Sequence, residues 1–318
     1  MALRRATIFC LPVLFALAVP AAAASFDCAQ ARSAVEKLIC STPALDVADR
    51  AMGEGYRTLL GALATDEAGR GFARAEQRVW AGRRNRACGF GLSAGAEADG
   101  GFDDPAACLQ VETERRTRQF AALVADPALG ARLHTALETE GKPRSRLFIQ
   151  AERPEIADPA TPGAAFLNET VRRFVEHETG SFRERSADLP EGIEAELVLT
   201  ADVYVTAPGL LSVQFLAEGV QGNGFRYAAA LTVDLARKQV PTPAQMFGTG
   251  SWPAAAVSAC RAALEPGLAA ECDGPDLMDP RSWRFEPERA VATLLLPGKE
   301  LREIAVPFRP PARRDAPR

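Results

Sequence analysis

Residues 26–63, FDCAQARSAVEKLICSTPALDVADRAMGEGYRTLLGAL, decide how the first part of this chain folds. Leu45, Ala48, Met52, Tyr56, Leu59, Leu60 and Leu63 recur at steps of three and four, which places them on one face of an amphipathic helix. Ser41 and Thr42 ahead of Pro43 supply a start signal, because proline is tolerated in a first helical turn and a hydroxyl can cap it. Cys28 and Cys40 add a geometric condition. Unbroken helix between them would hold their Cα atoms about 18 Å apart, whereas a disulfide needs less than about 7 Å. Either the helix before Cys40 is short and the chain folds back, or Cys28 pairs elsewhere.

Upstream, residues 1–24 read MALRRATIFCLPVLFALAVPAAAA, with Arg4 and Arg5 ahead of an apolar run and an Ala-x-Ala pattern from Ala22 to Ala24. This is the pattern of a secretory signal peptide, with cleavage expected before Ser25. Pro12 and Pro20 interrupt the run, and a membrane span needs about 20 apolar residues. Neither Cys10 nor Cys28 follows the small-residue motif of a lipid anchor, so a periplasmic or secreted product without a membrane anchor is expected. Loss of Arg4 and Arg5 takes the basic residues from 37 to 35 against 41 acidic ones, a charge of −6. An acidic exported chain is not built to bind nucleic acid.

The 318 residues, 47% hydrophobic and 25% charged, describe a globular protein with room for two domains at about 150 residues each. Beyond Cys10 the cysteines are Cys28, Cys40, Cys88, Cys108, Cys260 and Cys272, an even set for an oxidising compartment. They fall in sequence-local twos with no Cys-x-x-Cys spacing, so three local bridges are the economical choice among about fifteen pairings.

Helical spacing continues after the opening stretch. Phe72, Val79 and Trp80 mark a helix over 72–88, and Leu109, Phe120 and Leu123 mark another over 105–124. A four-helix arrangement over residues 25–125 follows, with a Cys88–Cys108 staple between the last two helices. Between those cysteines lies GFGLSAGAEADGGFDDPAA, which carries Glu97, Asp99, Asp103, Asp104 and Phe102 and no basic residue. It is either a solvated hairpin or a contact surface for a basic partner.

Residues 126–139 have the composition of a linker, and 311–318 that of a flexible tail. Between them, 140–310 predict an α+β fold with a mainly antiparallel sheet. Ala165 to His177 is an amphipathic helix with Phe166, Val171, Phe174 and Val175 inward. Strand patterns run over 146–155, 195–206, 210–218, 227–235, 290–296 and 303–308, broken by Gly, Pro or Asp.

Several of these residues also match a known wording. Phe26-Asp27-Cys28, Ala34-Val35-Glu36-Lys37-Leu38-Ile39-Cys40, Leu45-Asp46 with Asp49 and Tyr56, Gln77-Arg78-Val79-Trp80 with Arg84-Asn85, and Cys108-Leu109 with Thr113 and Arg116 resemble the LprI-type lysozyme inhibitor N-terminal domain. The resemblance implies an exported helical protein, with lysozyme inhibition attributed to some members; the loop between Cys88 and Cys108 is longer than the family's short linker. Leu211-Ser212-Val213-Gln214-Phe215, Val233-Asp234-Leu235 and Pro243-Ala244-Gln245-Met246-Phe247 resemble the C-terminal part of the RsiV-like extracellular domain. That family includes lysozyme-sensing anti-sigma-factor ectodomains and accessory domains of cell-wall deacetylases. A typical member has Gly-Gly-Ala-His in the turn where this chain has Gly222-Asn223-Gly224-Phe225-Arg226.

Catalytic chemistry finds little support. Gly91-Leu92-Ser93-Ala94-Gly95 fits a nucleophile elbow only if a strand precedes Ser93 and a helix follows, and the flanks are a helix and an acidic loop. His134 and His177, placed on helices or beside the linker, show no metal-binding spacing. Asp99, Asp103 and Asp104 do not have the spacing of a calcium-binding EF-hand loop. Asn168-Glu169-Thr170 is a glycosylation sequon in form. No catalytic residue, metal or cofactor is assigned. The expectation is a non-catalytic exported protein that binds and inhibits lysozyme through Glu97, Asp99, Phe102, Asp103 and Asp104 together with Asn223, Phe225 and Arg226. The competing expectation is an envelope protein that binds peptidoglycan or serves a cell-wall enzyme.

Overall fold

The computed structural model describes residues 25–90, 104–130, 132–142, 145–248, 250–298 and 300–310. The expected signal segment, Ser93, Glu97, Asp99, Phe102, Asp103 and the expected tail lie outside the described residues.

A single turn of 3-10 helix at Cys28–Gln30 is followed by a break, and then α1 (Ala34–Ser41) begins. Its start is a capping box: the Ser33 hydroxyl accepts the Glu36 N–H, and the Glu36 carboxylate accepts the Ser33 N–H. The break folds the chain back, and Cys28 pairs with Cys40 at a Cα separation of 5.8 Å. In α2 (Pro43–Ala62) the proline occupies the first turn, but the Thr42 hydroxyl makes no capping bond. The Ser41 hydroxyl donates backward to the Leu38 carbonyl instead, so proline geometry sets this start without hydroxyl capping.

Two more long helices follow, α3 (Glu67–Ala87) and α4 (Pro105–Ala125), stapled by Cys88–Cys108. Met52, Leu59, Leu63, Trp80, Phe120 and Leu123 form one core, and Val35, Ile39, Leu45 and Leu109 gather around Cys88 and Cys108 in another. Val79 is a correction to the expected apolar row: it is 52% exposed, while its neighbour Trp80 turns inward. The buried stripe of α3 is therefore narrower than the sequence spacing indicates.

The segment that resembles a linker carries the short α5 (Pro127–Gly130) and most of β1 (Leu133–Gly141). Its polar composition suits an edge strand, since β1 pairs only with β2 (Leu147–Ile156) and meets solvent along Glu138 to Gly141. A long helix, α6 (Pro162–Ala187), then leads to β3 (Ala195–Ala207), β4 (Leu210–Gln221) and β5 (Asn223–Asp234). The five strands lie in the order β1-β2-β3-β4-β5. Only β2 and β3 are parallel, because α6 connects them and carries the chain back to the same end. The helix outruns its expected end at His177 because Thr179, Phe182 and Ser186 continue its buried row.

Two short helices, α7 (Pro243–Phe247) and α8 (Trp252–Ala263), precede a second antiparallel sheet of β6 (Trp283–Phe285), β7 (Arg289–Leu296) and β8 (Glu300–Pro307). Cys260–Cys272 ties α8 to the following 3-10 stretch at a Cα separation of 5.7 Å. Phe247 stands at the centre of the small core, in ring contact with Trp252, Trp283, Phe285 and Phe308.

Strand β3 separates two environments. Ala195, Leu197, Leu199, Ala201, Val203 and Val205 join Leu167, Val171, Val175 and Phe182 of α6 in the largest apolar core. The alternate positions, including Asp202 and Tyr204, point to the opposite face.

At Gly219, close approach excludes any side chain: a Cβ there would lie 1.8 Å from the Glu196 carbonyl oxygen and 2.9 Å from the Phe225 ring. Gly219→Ala is expected to cost about 1–3 kcal/mol through overpacking. Gly71→Ala, in the interior of α3 with nothing within 4 Å, is expected to stabilise by about 0.5–1 kcal/mol. Urea unfolding of both variants checks the pair, and midpoints that move in the same direction would contradict it.

Candidate functional site

The residues that make the first hundred positions recognisable lie inside the helical part. Arg84 of α3 is buried and stacks 4.9 Å from the Trp80 ring centroid. It donates to the Thr113 hydroxyl at 3.2 Å and to the Asn85 side-chain oxygen at 3.1 and 3.2 Å. Thr113 in turn donates to the Leu109 carbonyl at 2.6 Å. One turn further along α4, Arg116 lies 4.7 Å from the Phe120 centroid and 5.5 Å from that of Trp80. Its guanidinium donates to Gln77 and Gln119, each at 3.0 Å. Burial pulls the Arg116 pKa down to about 10, with Glu76 opposing, so it stays charged at neutral pH. Two buried arginines layered on aromatic rings, with amide and hydroxyl acceptors, hold α3 against α4. They form a buried frame, 7% and 6% exposed.

A second charged cluster joins the helical part to the sheet. Arg115 of α4 reaches Asp202 of β3 at 2.7 Å and Glu112 at 3.0 Å, and Gln119 donates to Asp202 at 3.0 Å. Arg83 of α3 lies 3.3 Å from Glu76 and 3.6 Å from Glu152 of β2. Glu152 also accepts the Ala201 N–H at 3.0 Å, which ties it to β3. Burial pushes the Asp202 carboxyl above the usual range, although Arg115 opposes it. Glu112 and Glu76 are raised for the same first reason. Burial also works against the Arg115 charge, but Asp202, Glu112 and Glu152 more than offset it, and Arg115 is held ionised.

His134 belongs to strand β1 and not to a helix. Its Nε2 lies 3.0 Å from Glu155 and its ring meets Phe72 edge-on at 5.3 Å. Beside it, Glu76, Arg116 and Gln119 line a cavity of about 20 Å³, the size of one water molecule. His177 is exposed on α6. Asn168 is held by backbone: its amide accepts the Ile156 N–H at 2.8 Å and donates to the Ile156 carbonyl at 2.9 Å. Its sequon is therefore engaged in fastening α6 to β2. Among the described residues, no group of three or more His, Cys, Asp and Glu side chains is placed to hold a metal ion.

The residues expected to meet a partner have separate fates. Asp104 caps α4, accepting the N–H groups of Ala106 and Ala107 at 2.9 and 3.0 Å. The expected turn from Gly222 to Arg226 is mostly strand: Gly222 alone turns, at φ +74°, and β5 starts at Asn223. Phe225 packs between Phe182 and Tyr227, with ring centroids at 5.8 and 6.2 Å, and Arg226 pairs across the ladder with Glu218 at 2.5 Å. Asn223 remains exposed at the hairpin end. The sequence did not single out the seam, because nothing local links Arg115 to Asp202; only the polar alternate row of β3 hints at it.

Residues 27–120 match the family described as Lysozyme inhibitor LprI. No curated protein matches the chain. Among solved structures, a DUF3298 family protein from Pseudomonas aeruginosa PAO1 is similar at 15% identity and a TM-score of 0.39, covering 55% of this chain and 89% of that one. A member of the same family from Bacteroides fragilis NCTC 9343 is similar at 13% identity and a TM-score of 0.33, covering 55% and 88%.

The seam generates a pH-dependent expectation. Arg115→Met leaves Asp202 buried without its nearest cation and should cost about 3–5 kcal/mol at pH 7. A carboxyl raised in the folded state binds protons that the unfolded chain has released, so its burden grows as pH rises above the ordinary Asp value. The loss should therefore be smaller at pH 5 than at pH 7 in urea unfolding, and an equal loss at both would contradict the assignment.

Proposed function

We propose that this is an exported, non-catalytic protein that binds and inhibits a lysozyme. The observation that carries the reading is the match of residues 27–120 to a lysozyme inhibitor family. Its charge supports the reading: with residues 1–24 removed the chain carries −6, and an acidic binder draws a basic lysozyme by long-range attraction that raises the association rate.

The contact surface we assign is the segment between Cys88 and Cys108, with Glu97, Asp99, Phe102, Asp103 and Asp104, together with Asn223 and Arg226 at the hairpin end. Both ends of that segment are clamped by the disulfide, whose Cα atoms are 5.6 Å apart. Closure of this kind lowers the ordering cost of binding. Since Phe225 and Arg226 already serve the sheet, Asn223 and the outer edge of Arg226 are what the hairpin offers.

A lysis-protection assay with chicken-type lysozyme at low salt, using the full mature chain, tests the function. Protection is expected, and muropeptide binding without lysozyme affinity would replace this reading with the envelope-binding one. Replacement of Glu97, Asp99, Asp103 and Asp104 by Ser should slow association about tenfold and flatten its salt dependence. Serine at 104 keeps an N-cap on α4 while removing the charge. Unchanged association would remove the loop from the interface.

A further inference from the structure

Asp49 is a buried carboxylate in the first half of α2, 3% exposed, and the arginine frame does not hydrogen-bond it. Among the described residues no basic side chain pairs with it; Arg84 acts on it only at longer range. Its contacts are with the chain at position 25. Asp49 Oδ2 accepts the backbone N–H of Ser25 at 2.8 Å and the Ser25 hydroxyl at 2.6 Å. A buried carboxylate engaged by a neutral amide and a hydroxyl lacks the compensating cation that burial of a charge calls for.

The helix is shaped to admit that residue. Gly53 lies one turn beyond Asp49 on the same face, and a Cβ there would lie 2.6 Å from the Ser25 Cβ. Phe26 is partly buried against the Val35, Ile39 and Leu45 core, and Cys28 is bound to Cys40, so Ser25 is delivered to Asp49 by anchored neighbours. Independently, the Ala-x-Ala pattern ending at Ala24 places cleavage at the bond that makes this same nitrogen.

We infer that Asp49 is the receptor for the mature N-terminus: processing before Ser25 converts the amide N–H at 2.8 Å into an α-ammonium ion-paired with Asp49. Hydrolysis of the Ala24–Ser25 peptide bond adds water across it, leaving a carboxylate on the departing segment and the ammonium on Ser25. The missing cation of the Asp49 site is thus created by export itself. The helical part reaches its full stability only after the leader is removed, and a single residue left on the N-terminus withholds that gain. The inference rests on processing at this bond, which the proposed export implies, and not on lysozyme binding.

Three measurements test it. N-terminal sequencing of the exported protein should begin at Ser25, and another start overturns the inference while leaving lysozyme inhibition open. In the unaltered mature protein, the pH dependence of α-amine acylation should show proton affinity at least tenfold above that of an ordinary α-amine, which titrates near about 8. The charged groups nearby are Asp49 of α2, which accepts its N–H, Arg57 of α2, whose guanidinium lies beside Gly53, and Arg84 of α3 acting through Asp49. An ordinary titration would reject the ion pair. Last, Asp49→Asn should lower Tm more in protein starting at Ser25 than in protein that retains Ala24, and equal losses in the two forms would show that Asp49 serves only as a neutral acceptor.

Discussion

Asp202 and Arg115, 2.7 Å apart, occupy the point on which the remaining architecture turns. Strand β3, in the middle of the five-stranded sheet, is covered on both faces, with different chemistry on each. Its apolar row closes over α6, where Phe174 and Phe215 stack at 4.3 Å. Its polar row would be costly to bury without partners. Those partners arrive from two directions. Arg115 and Gln119 of α4 meet Asp202, and Arg284 of β6 stacks 4.9 Å from the Tyr204 ring centroid while binding Glu303, Glu286 and Gln214. The helical part and the small sheet are thus both docked on one polar surface, and their positions follow from the charges it must satisfy.

The helical part solves a similar problem on a smaller scale. One short and three long helices bury few large apolar side chains between them, and two disulfides reinforce them. Arg84 and Arg116 are spent on the interior, where their planar guanidinium groups fill space against Trp80 and Phe120 and bond fixed acceptors. Several of the residues by which the first part resembles the lysozyme inhibitor family, Trp80, Arg84, Thr113 and Arg116 among them, therefore lie in this interior.

Legibility in the sequence followed how local each interaction is. The apolar row from Leu45 to Leu63, the pairings of neighbouring cysteines and the alternation of β3 and β4 are short-range patterns, and the structure carries all of them. Strand β1 was hidden because an edge strand wet on one side has the composition of a linker. Helix α8 and strand β6 were hidden because each is short and owes its place to the aromatic cluster around Phe247. Phe225 and Arg226 looked like turn residues available to a partner because their loops are glycine-rich, yet Gly219 exists to let the Phe225 ring lie down on the sheet.

By itself the sequence determined the helical and α+β parts, their order, the three sequence-local bridges as the economical pairing and the likeness of the first part to lysozyme inhibitors. Each of these depends on spacing along the chain, which a sequence displays directly. Only the tertiary structure decided that Arg115 faces Asp202, that Arg84 and Arg116 are internal, and that the nitrogen of Ser25 meets Asp49. Those contacts join charged groups from segments whose separation along the chain carries no signal, and the burial that gives them their meaning exists only once the helices and sheets have packed.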